Sequence, residues 1–352
     1  MKRPAYDSPS VPITWPRIDY CSGTNELVEI HPYVKQDIME YYKQNPEQAK
    51  AQFGDDPFDV KNIMKYWVRS KDKDMRIIPT DTLYVKIDKE AVRKSGMLMA
   101  GDSIPDKMVI SLAGKRGLGK ESLMMLEMIA QCNWTRPLYI ATTVAEKYYM
   151  NLGDNFVQEG LAYRITPFTT KNPGMKNIDT EKMYNNLMNR YKWGGLEKPG
   201  LYLDETVMRM CYTHRHLFAI LALALVEENK KDKAVEVLDK CQKVIPDYNV
   251  PVTFMSAGAD MAQAYALAGQ KAKAAKLLDA VWKNAEQYAV WYLSLNGSRF
   301  TQAQNDFLRQ VVMLKSTAEQ TALVDAKLAE KRMQRLNALY ATYISKGGVE
   351  LK

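Results

Sequence analysis

Two stretches in the C-terminal half of the chain can be aligned with each other, and this alignment restricts the possible folds more than any other feature. Residues 217–239 align with a stretch that ends at Asp279, so that Asn229 of the first falls at the position of Gly269 of the second. Both stretches have helical apolar periodicity on either side of that position. Asparagine and glycine tolerate the left-handed conformation that ends a helix. Each stretch is therefore predicted to form a helix, a tight turn and a second helix.

The same alignment makes Ala234 and Ala274 equivalent, at the place where a small side chain lets paired helices touch. The two units are about forty residues apart, against ~34 in a tetratricopeptide repeat (TPR), and residues 249–253 account for the excess as an inserted loop. Two more helices are predicted over residues 303–314 and 318–344. We therefore expect TPR-like helical hairpins, and such arrays bind peptides or domains more often than they catalyse reactions.

The middle of the chain has a different pattern. Apolar residues alternate with polar ones over residues 83–87 and 108–112, which predicts two strands. Residues 123–129 are apolar nearly all round and rich in leucine and methionine, which predicts a buried helix. Further strands are predicted over residues 137–141 and 161–165. A strand, a helix and a strand in this order would form a right-handed parallel crossover if both strands lay in one sheet.

The first eighty residues begin with a proline-rich stretch, residues 1–24, which favours an extended linker. Three short helices are predicted after it: one over residues 34–42, one from Asn45, and one that follows a cap at Asp55 and Asp56 and reaches Trp67. The fold class is therefore α+β, a small mixed α/β region followed by TPR-like hairpins. The predicted segments are a linker with short helices (1–80), a small α/β domain (81–200) and a TPR-like helical domain (201–352).

Composition restricts the class of protein further. The chain has 352 residues and a net charge of +8, and its longest apolar run, residues 217–226, is shorter than the ~18 residues of a membrane-spanning helix. No apolar stretch of a signal peptide follows the basic N-terminus. No zinc knuckle, RNP-type strand or basic helix occurs, so we expect no nucleic-acid partner. The four cysteines form no CxxC pair, and whether any of them pair stays open.

Residues 114–122 resemble a phosphate-binding loop, since they read Gly-Lys-Arg-Gly-Leu-Gly-Lys-Glu-Ser. In the true motif a serine or threonine that binds magnesium follows the lysine. Here Glu121 stands at that position, and its carboxylate would repel the phosphate oxygens. We therefore expect no cofactor at this loop; a soluble phosphate- or nucleotide-binding enzyme is the alternative.

Two other groups of residues invite a chemical interpretation. Cys211, His214 and His216 combine a thiol with two imidazoles, but positions two apart on a helix point in different directions. We therefore expect no metal site, and interpret the histidines as polar residues at a helix start. The carboxylate pairs Asp55–Asp56 and Asp204–Glu205 are interpreted as helix caps. No catalytic residue is predicted.

Several strings are specific to a family and are not general chemical motifs; they are residues 78–82, 85–92, 133–141, 159–164 and 179–195. Through them nearly the whole chain resembles the soluble C-terminal region of a family of polytopic membrane proteins from Bacteroidota, which are protein O-mannosyltransferase-like. The resemblance implies that the catalytic acid of the family lies in a membrane half. It also implies that Met1 is either an internal start or the boundary of an excerpted segment, just after the last membrane helix. It implies a location at the periplasmic face of the inner membrane.

We therefore expect a non-catalytic extracytoplasmic docking domain of a membrane glycosyltransferase-like protein. Its expected partners are the membrane-embedded half of the same protein and an acceptor protein or glycan. The other alternative is a carbohydrate-binding module that uses exposed aromatic side chains. The candidate binding surface consists of Trp134, Arg136, Trp193, Tyr265, Trp291 and Tyr292.

Overall fold

A computed structural model describes residues 27–72, 74–99, 101–169 and 177–349, so the predicted linker over residues 1–24 lies outside the described residues. The chain divides into two compact units, Met1–Asp179 and Thr180–Lys352. This division differs from the predicted boundaries after residues 80 and 200. Strands on both sides of residue 80 pair in one sheet, and the turns that precede the hairpins belong to the second unit.

The described part of the first unit contains nine short strands in three sheets: β1 (Val28–Ile30), β2 (Ile77–Ile78), β3 (Thr82–Lys86), β4 (Lys107–Ser111), β5 (Gly117–Leu118), β6 (Tyr139–Ala141), β7 (Phe156–Gln158), β8 (Ala162–Ile165) and β9 (Asn177–Ile178). Its α-helices are α1 (Val34–Gln44), α2 (Pro46–Phe53), α3 (Val60–Asn62), α4 (Lys89–Lys94) and α5 (Lys120–Gln131). The α+β class is confirmed.

The sheets have the orders β2-β1-β5, β3-β4 and β6-β8-β7-β9. The predicted parallel crossover is wrong, because β4 pairs antiparallel with β3 whereas β6 pairs antiparallel with β8 in another sheet. The chain between β3 and β4 contains α4 and returns antiparallel to β3, and α5 then leads into a separate sheet. The predicted buried helix is confirmed as α5, whose Leu123, Leu126 and Ile129 lie in the core of this unit.

The N-terminal helices agree with the sequence except at the third. Asp59 caps α3, since its carboxylate accepts a hydrogen bond from the Lys61 amide at 2.9 Å, so the predicted cap at Asp55 and Asp56 is wrong. The helix continues as a π-helical segment, Ile63–Val68. This extra turn buries Trp67, which stacks on Phe53 at a centroid distance of 4.8 Å.

The second unit is helical in its described residues: α6 (Thr180–Asn185), continued by a π-helical segment (Asn186–Arg190), α7 (Glu205–Glu227), α8 (Lys231–Val244), α9 (Gly258–Leu267), α10 (Lys271–Ser294), α11 (Gly297–Thr321) and α12 (Ala326–Ser345). The predicted break between residues 314 and 318 is wrong. Helix α11 continues to Thr321, and Asp325 then caps α12 by accepting a hydrogen bond from the Leu328 amide at 3.0 Å.

The two aligned hairpins are confirmed as α7–α8 and α9–α10. Asn229 and Gly269 have φ angles of 60° and 86°, the left-handed conformation that the sequence predicts. The amide after each one closes the turn in the same way: Lys230 donates to the Leu225 carbonyl and Gln270 to the Tyr265 carbonyl, both at 2.8 Å. The equivalent bonds show that one local geometry builds both hairpins.

A buried arginine fixes the inserted loop between these hairpins. Arg215 in α7 donates to the carbonyl oxygens of Ile245, Val250 and Pro251 at 2.8, 2.7 and 3.1 Å, and to Ser256 Oγ at 3.1 Å. Burial lowers the pKa of this guanidinium from its usual value, but a guanidinium stays charged. Its hydrogen bonds therefore hold the loop that leads from α8 into α9.

Among the described residues, none of the helices combines the length and the hydrophobicity needed to cross a bilayer.

Ala234 and Ala274 are fully buried, as the alignment predicts. We expect Ala234→Leu and Ala274→Leu each to lower the free energy of unfolding by about 1 to 3 kcal/mol, because added methylenes force the paired helices apart. Urea denaturation of the full chain measures this. Ala338→Leu on the exposed side of α12 is the matched control, and an equal midpoint for all three variants would contradict the packing of the hairpins.

Candidate functional site

The C-terminal half of α10 presents an uncovered face. Helix α10 has 24 residues, whereas its hairpin partner α9 has only 10, so α9 accompanies only part of it. One stripe of α10 is buried from Ala274 to Ala289. The opposite side of its last three turns is left without a covering helix among the described residues.

Aromatic side chains concentrate on this part of α10. Tyr288 and Trp291 are 49% and 54% exposed, which is high for such large apolar groups. Tyr292 lies beside both, with ring centroids 6.4 Å from Tyr288 and 4.9 Å from Trp291. Its ring also packs against the core of α10, α11 and α12. We call Tyr288, Trp291 and Tyr292 the aromatic face.

An open recess of about 450 Å³ borders the aromatic face. The described residues that line it all belong to α10: Lys283, Glu286, Gln287, Val290, Trp291 and Ser294. Their spacing of three, four, seven and eight residues is that of one helix face. An elongated recess along a helix suits a second helix that packs alongside it.

Two of the polar side chains that line this recess, Glu286 and Ser294, are hydrogen-bonded within the second unit. The Glu286 carboxylate accepts hydrogen bonds from Trp282 Nε1 at 2.9 Å and from Arg335 Nε of α12 at 2.6 Å, so its charge is compensated. The Ser294 hydroxyl donates to the Trp291 carbonyl at 2.7 Å. Burial, with a smaller contribution from Asp306, raises the pKa of Tyr292, which therefore stays neutral. The recess thus combines the apolar surface of Val290 and Trp291 with the positive charge of Lys283 at one end. Such a surface is suited to binding a partner.

The structure brings together two of the six predicted surface residues, Trp291 and Tyr292. Trp134 and Tyr265 are buried, so they are core residues and the prediction of surface positions is corrected for both. The Tyr265 hydroxyl donates to Asp239 Oδ1 at 2.7 Å. Arg136 is exposed in the first unit.

Trp193 is half-buried in the second unit, where its ring packs against His214 and Phe218 at centroid distances of 5.6 and 5.0 Å. Burial lowers the pKa of His214, and His216 Nδ1 lies 3.6 Å from an Asp260 oxygen. The two imidazoles thus have different neighbours. Both lie well inside α7, not at its start as predicted.

The thiol of that group, Cys211, is buried and unpaired, as are Cys132 and Cys241. In the ranges that the structure describes, no group of His, Cys, Asp and Glu side chains is arranged to hold a metal ion. Of the carboxylates, Asp204 caps α7 by accepting a hydrogen bond from the Val207 amide at 2.8 Å. The cap predicted at this position is therefore confirmed.

Sequence reasoning missed Tyr288, Val290 and Gln287. A usable signal existed, because Lys283, Gln287, Val290 and Ser294 recur at helical spacing on the side opposite the buried stripe. The length difference between α9 and α10, which uncovers this side, depends on where the inserted loop ends and could not be read from periodicity.

The loop that resembles a phosphate-binding motif has a different structure. Gly117 and Leu118 form β5 and pair with β1. Gly119 is the N-cap of α5, and the Glu121 carboxylate folds back over it: a Cβ built on Gly119 would lie 2.9 Å from that carboxylate. The start of α5, where backbone amides could receive a phosphate, therefore already carries a negative group.

Comparison with protein families gives one match. The family model described as TMEM260-associated domain 2 matches residues 1–182, about half of the chain. The matched range ends close to the boundary between the two units at residue 179 and includes most of the family-specific strings. No curated protein and no solved structure matches the chain significantly.

We expect the 114–122 loop to bind no nucleotide, because Glu121 occupies the start of α5. Calorimetric titration of the full chain with ATP and with GTP, each with magnesium, should give no saturable heat at micromolar concentrations, and Lys120→Ala should leave the trace unchanged. Saturable binding that Lys120→Ala abolishes would show that the loop is a phosphate site.

Proposed function

The chain belongs to the TMEM260-associated domain 2 family, and from this premise we propose that it is a non-catalytic accessory domain of a membrane glycosyltransferase-like protein. The proposed location is the extracytoplasmic side, at the periplasmic face of the inner membrane. The proposed catalytic partner is the membrane-embedded half of the same protein. In this arrangement sugar transfer takes place at the membrane and this chain serves it by binding.

The helical unit is the proposed docking module, and the observation that carries this is the aromatic face of α10. Trp291, at 54% exposure, would gain on the order of 1 to 3 kcal/mol of transfer free energy when a partner covers it. Exposed tryptophan and tyrosine side chains beside an apolar recess are typical anchors of protein interfaces. The equivalent turns at Asn229 and Gly269 support a TPR-like array, which is an architecture used for binding polypeptides.

The proposed occupant is an amphipathic helix of the acceptor protein. The recess follows α10 from Lys283 to Ser294, a rise of roughly 16 Å at ~1.5 Å per residue, which matches about three turns of a partner helix. Its apolar stripe would contact Val290 and Trp291. An acidic side chain near one end would face Lys283, with which no ion pair forms among the described residues.

A carbohydrate-binding module is the second candidate, because a half-exposed tryptophan such as Trp291 can stack on an apolar face of a sugar ring. The recess favours the polypeptide, because most of its surface area is apolar and a sugar ring needs several hydrogen-bonding partners. Titration of the isolated chain with a glycan distinguishes the two candidates. A carbohydrate-binding module would bind the glycan in the absence of any polypeptide.

Trp291→Ala in the longer membrane protein should raise KM for an acceptor polypeptide by roughly 10- to 30-fold, the effect of losing an interface anchor. Hydrolysis of the lipid-linked sugar should not change, because in the proposed arrangement the lipid donor binds the membrane-embedded half. The measurement is transfer of labelled sugar in membranes. Tyr202→Ala, which removes a 92% exposed tyrosine outside the aromatic face, is the matched control and should behave as wild type. Equal KM values for both variants would refute docking at α10.

The purified chain alone should transfer no sugar from a lipid carrier to the same acceptor polypeptides, whereas membranes that contain the longer protein should. The reason is that the proposed role of this chain is to hold the acceptor. Product is measured by radiolabel in both preparations at equal molar amounts. Transfer by the purified chain would place a catalytic site within these 352 residues and overturn the accessory role.

A further inference from the structure

The outer edge of β4 carries unused backbone hydrogen-bonding groups. Residues that face each other across an antiparallel pair alternate between hydrogen-bonded and non-hydrogen-bonded pairs. In the β3–β4 pair, Tyr84 faces Val109, and the Tyr84 amide donates away from β4, to the Phe58 carbonyl at 3.3 Å. Tyr84 and Val109 are therefore a non-hydrogen-bonded pair. It follows that the N–H and C=O groups of Val109 point away from β3, toward the outer edge.

The bonds at both ends of the pair agree with this register. The Leu112 amide donates to the Asp81 carbonyl at 2.7 Å, and the Ile87 amide donates to the Asp106 carbonyl at 3.0 Å. Because hydrogen-bonded and non-hydrogen-bonded pairs alternate from either of these bonded pairs, the backbone groups of Lys107 and Val109 point outward.

That part of the edge has no hydrogen-bonding partner among the described residues. In the ranges that the structure describes, no hydrogen bond joins the backbone of Lys107 or Val109 to another group. The edge is closed only at its far end, where the Ser111 carbonyl accepts from Asn151 Nδ2 at 3.1 Å. The Val109 side chain is 60% exposed, whereas Met108 and Ile110 are buried and anchor the strand. The edge is thus open, apolar at its centre and held in place by the core.

Two exposed lysines lie beside this edge, with two aspartates near them. Lys86 faces Lys107 directly across the strand pair, and like charges at such positions are unfavourable without an anion to separate them. Lys107 has some compensation, since its Nζ lies 3.5 Å from Asp56 Oδ2 and 3.8 Å from the centroid of the Tyr84 ring. Lys86 adds a second positive charge on the same side of the sheet and interacts with the buried Asp59 carboxylate. Both lysines are exposed, so an anionic group that lies over them from the solvent side would be attracted by both.

We propose that the outer edge of β4 is a strand-addition site for an extended acidic segment of a partner polypeptide. The backbone groups of Lys107 and Val109 would pair with the added strand, as in other complexes formed by strand addition. An apolar side chain of the segment would cover Val109, and a carboxylate two residues away would lie over Lys107 and Lys86. A second copy of this chain fits less well, because antiparallel pairing about Val109 would bring two lysine pairs onto one sheet. The site is independent of the docking proposed at α10.

The test uses the full chain and a seven-residue peptide that alternates threonine with valine and glutamate, so that valine and glutamate share one face. Fluorescence anisotropy should show saturable binding. A copy of the peptide that is N-methylated at the amides that pair with β4 should lose at least tenfold in affinity. The double variant Lys86→Glu/Lys107→Glu should also bind the acidic peptide roughly tenfold more weakly, since each attraction becomes a repulsion of similar size. The same variant should gain affinity for a peptide with lysine in place of glutamate.

Val109→Pro provides a second variant that removes the outward amide and keeps a small apolar side chain, a change that an edge strand tolerates. It should abolish peptide binding while the thermal midpoint stays close to that of the wild type, and if it unfolds the chain, the N-methylated peptide supplies the same comparison. Equal binding of the methylated and unmethylated peptides, or no binding at all, would overturn the proposal. Sedimentation that shows a dimer dissociated by Val109→Pro would also overturn it, in favour of a second copy.

Discussion

The arrangement of the second unit depends on the buried guanidinium of Arg215. A charged group with almost no contact with water is costly unless its hydrogen-bonding capacity is satisfied, and here three carbonyl oxygens and the Ser256 hydroxyl receive it. Those carbonyls belong to the loop from Ile245 to Pro251. The loop contains a turn in which the Val250 amide donates to the Pro246 carbonyl at 3.0 Å, whereas the Ile245 and Val250 carbonyls accept from the arginine. The arginine and the loop therefore stabilise each other, since removing either would leave buried polar groups unpaired.

This constraint explains why α10 is uncovered. The loop held by Arg215 occupies the chain up to Ser256, so α9 begins only at Gly258 and spans 10 residues. Gly258 itself has no room for a side chain, because a Cβ there would lie 2.6 Å from a Val281 methyl group. Helices α9 and α10 are therefore in close contact at Gly258, but α10 is more than twice as long as α9. Its last turns are consequently free of α9, and the aromatic face lies there.

The sequence predicted what depends on local rules and missed what depends on distant pairing. The turns at Asn229 and Gly269 follow from backbone conformational preference, and α5 follows from composition, so both could be predicted. The strands β1 and β2 have three and two residues, too few for a periodic pattern, and they exist because they pair with each other and with β5. The sequence also predicted the wrong partner strand for β4, because strand pairing depends on residues that are distant in the sequence. At the candidate site, Trp291 and Tyr292 were found by residue type, whereas the burial of Trp134 and Tyr265 depends on tertiary packing.

The two proposed surfaces differ in how they would recognise a partner, and the family match bears on this difference. The β4 edge lies within the matched residues 1–182 and would use backbone hydrogen bonds, which any extended segment can form, so its selectivity would come from Lys86 and Lys107. The aromatic face lies outside the matched residues and would use side chains, which substitution alters easily. A protein with both surfaces can keep backbone-mediated binding in the first unit while substitutions in the helical unit change which partner that unit binds. Since a strand edge can add only one strand at a time, the first unit would select a single extended segment even where the helical unit accepts several partners.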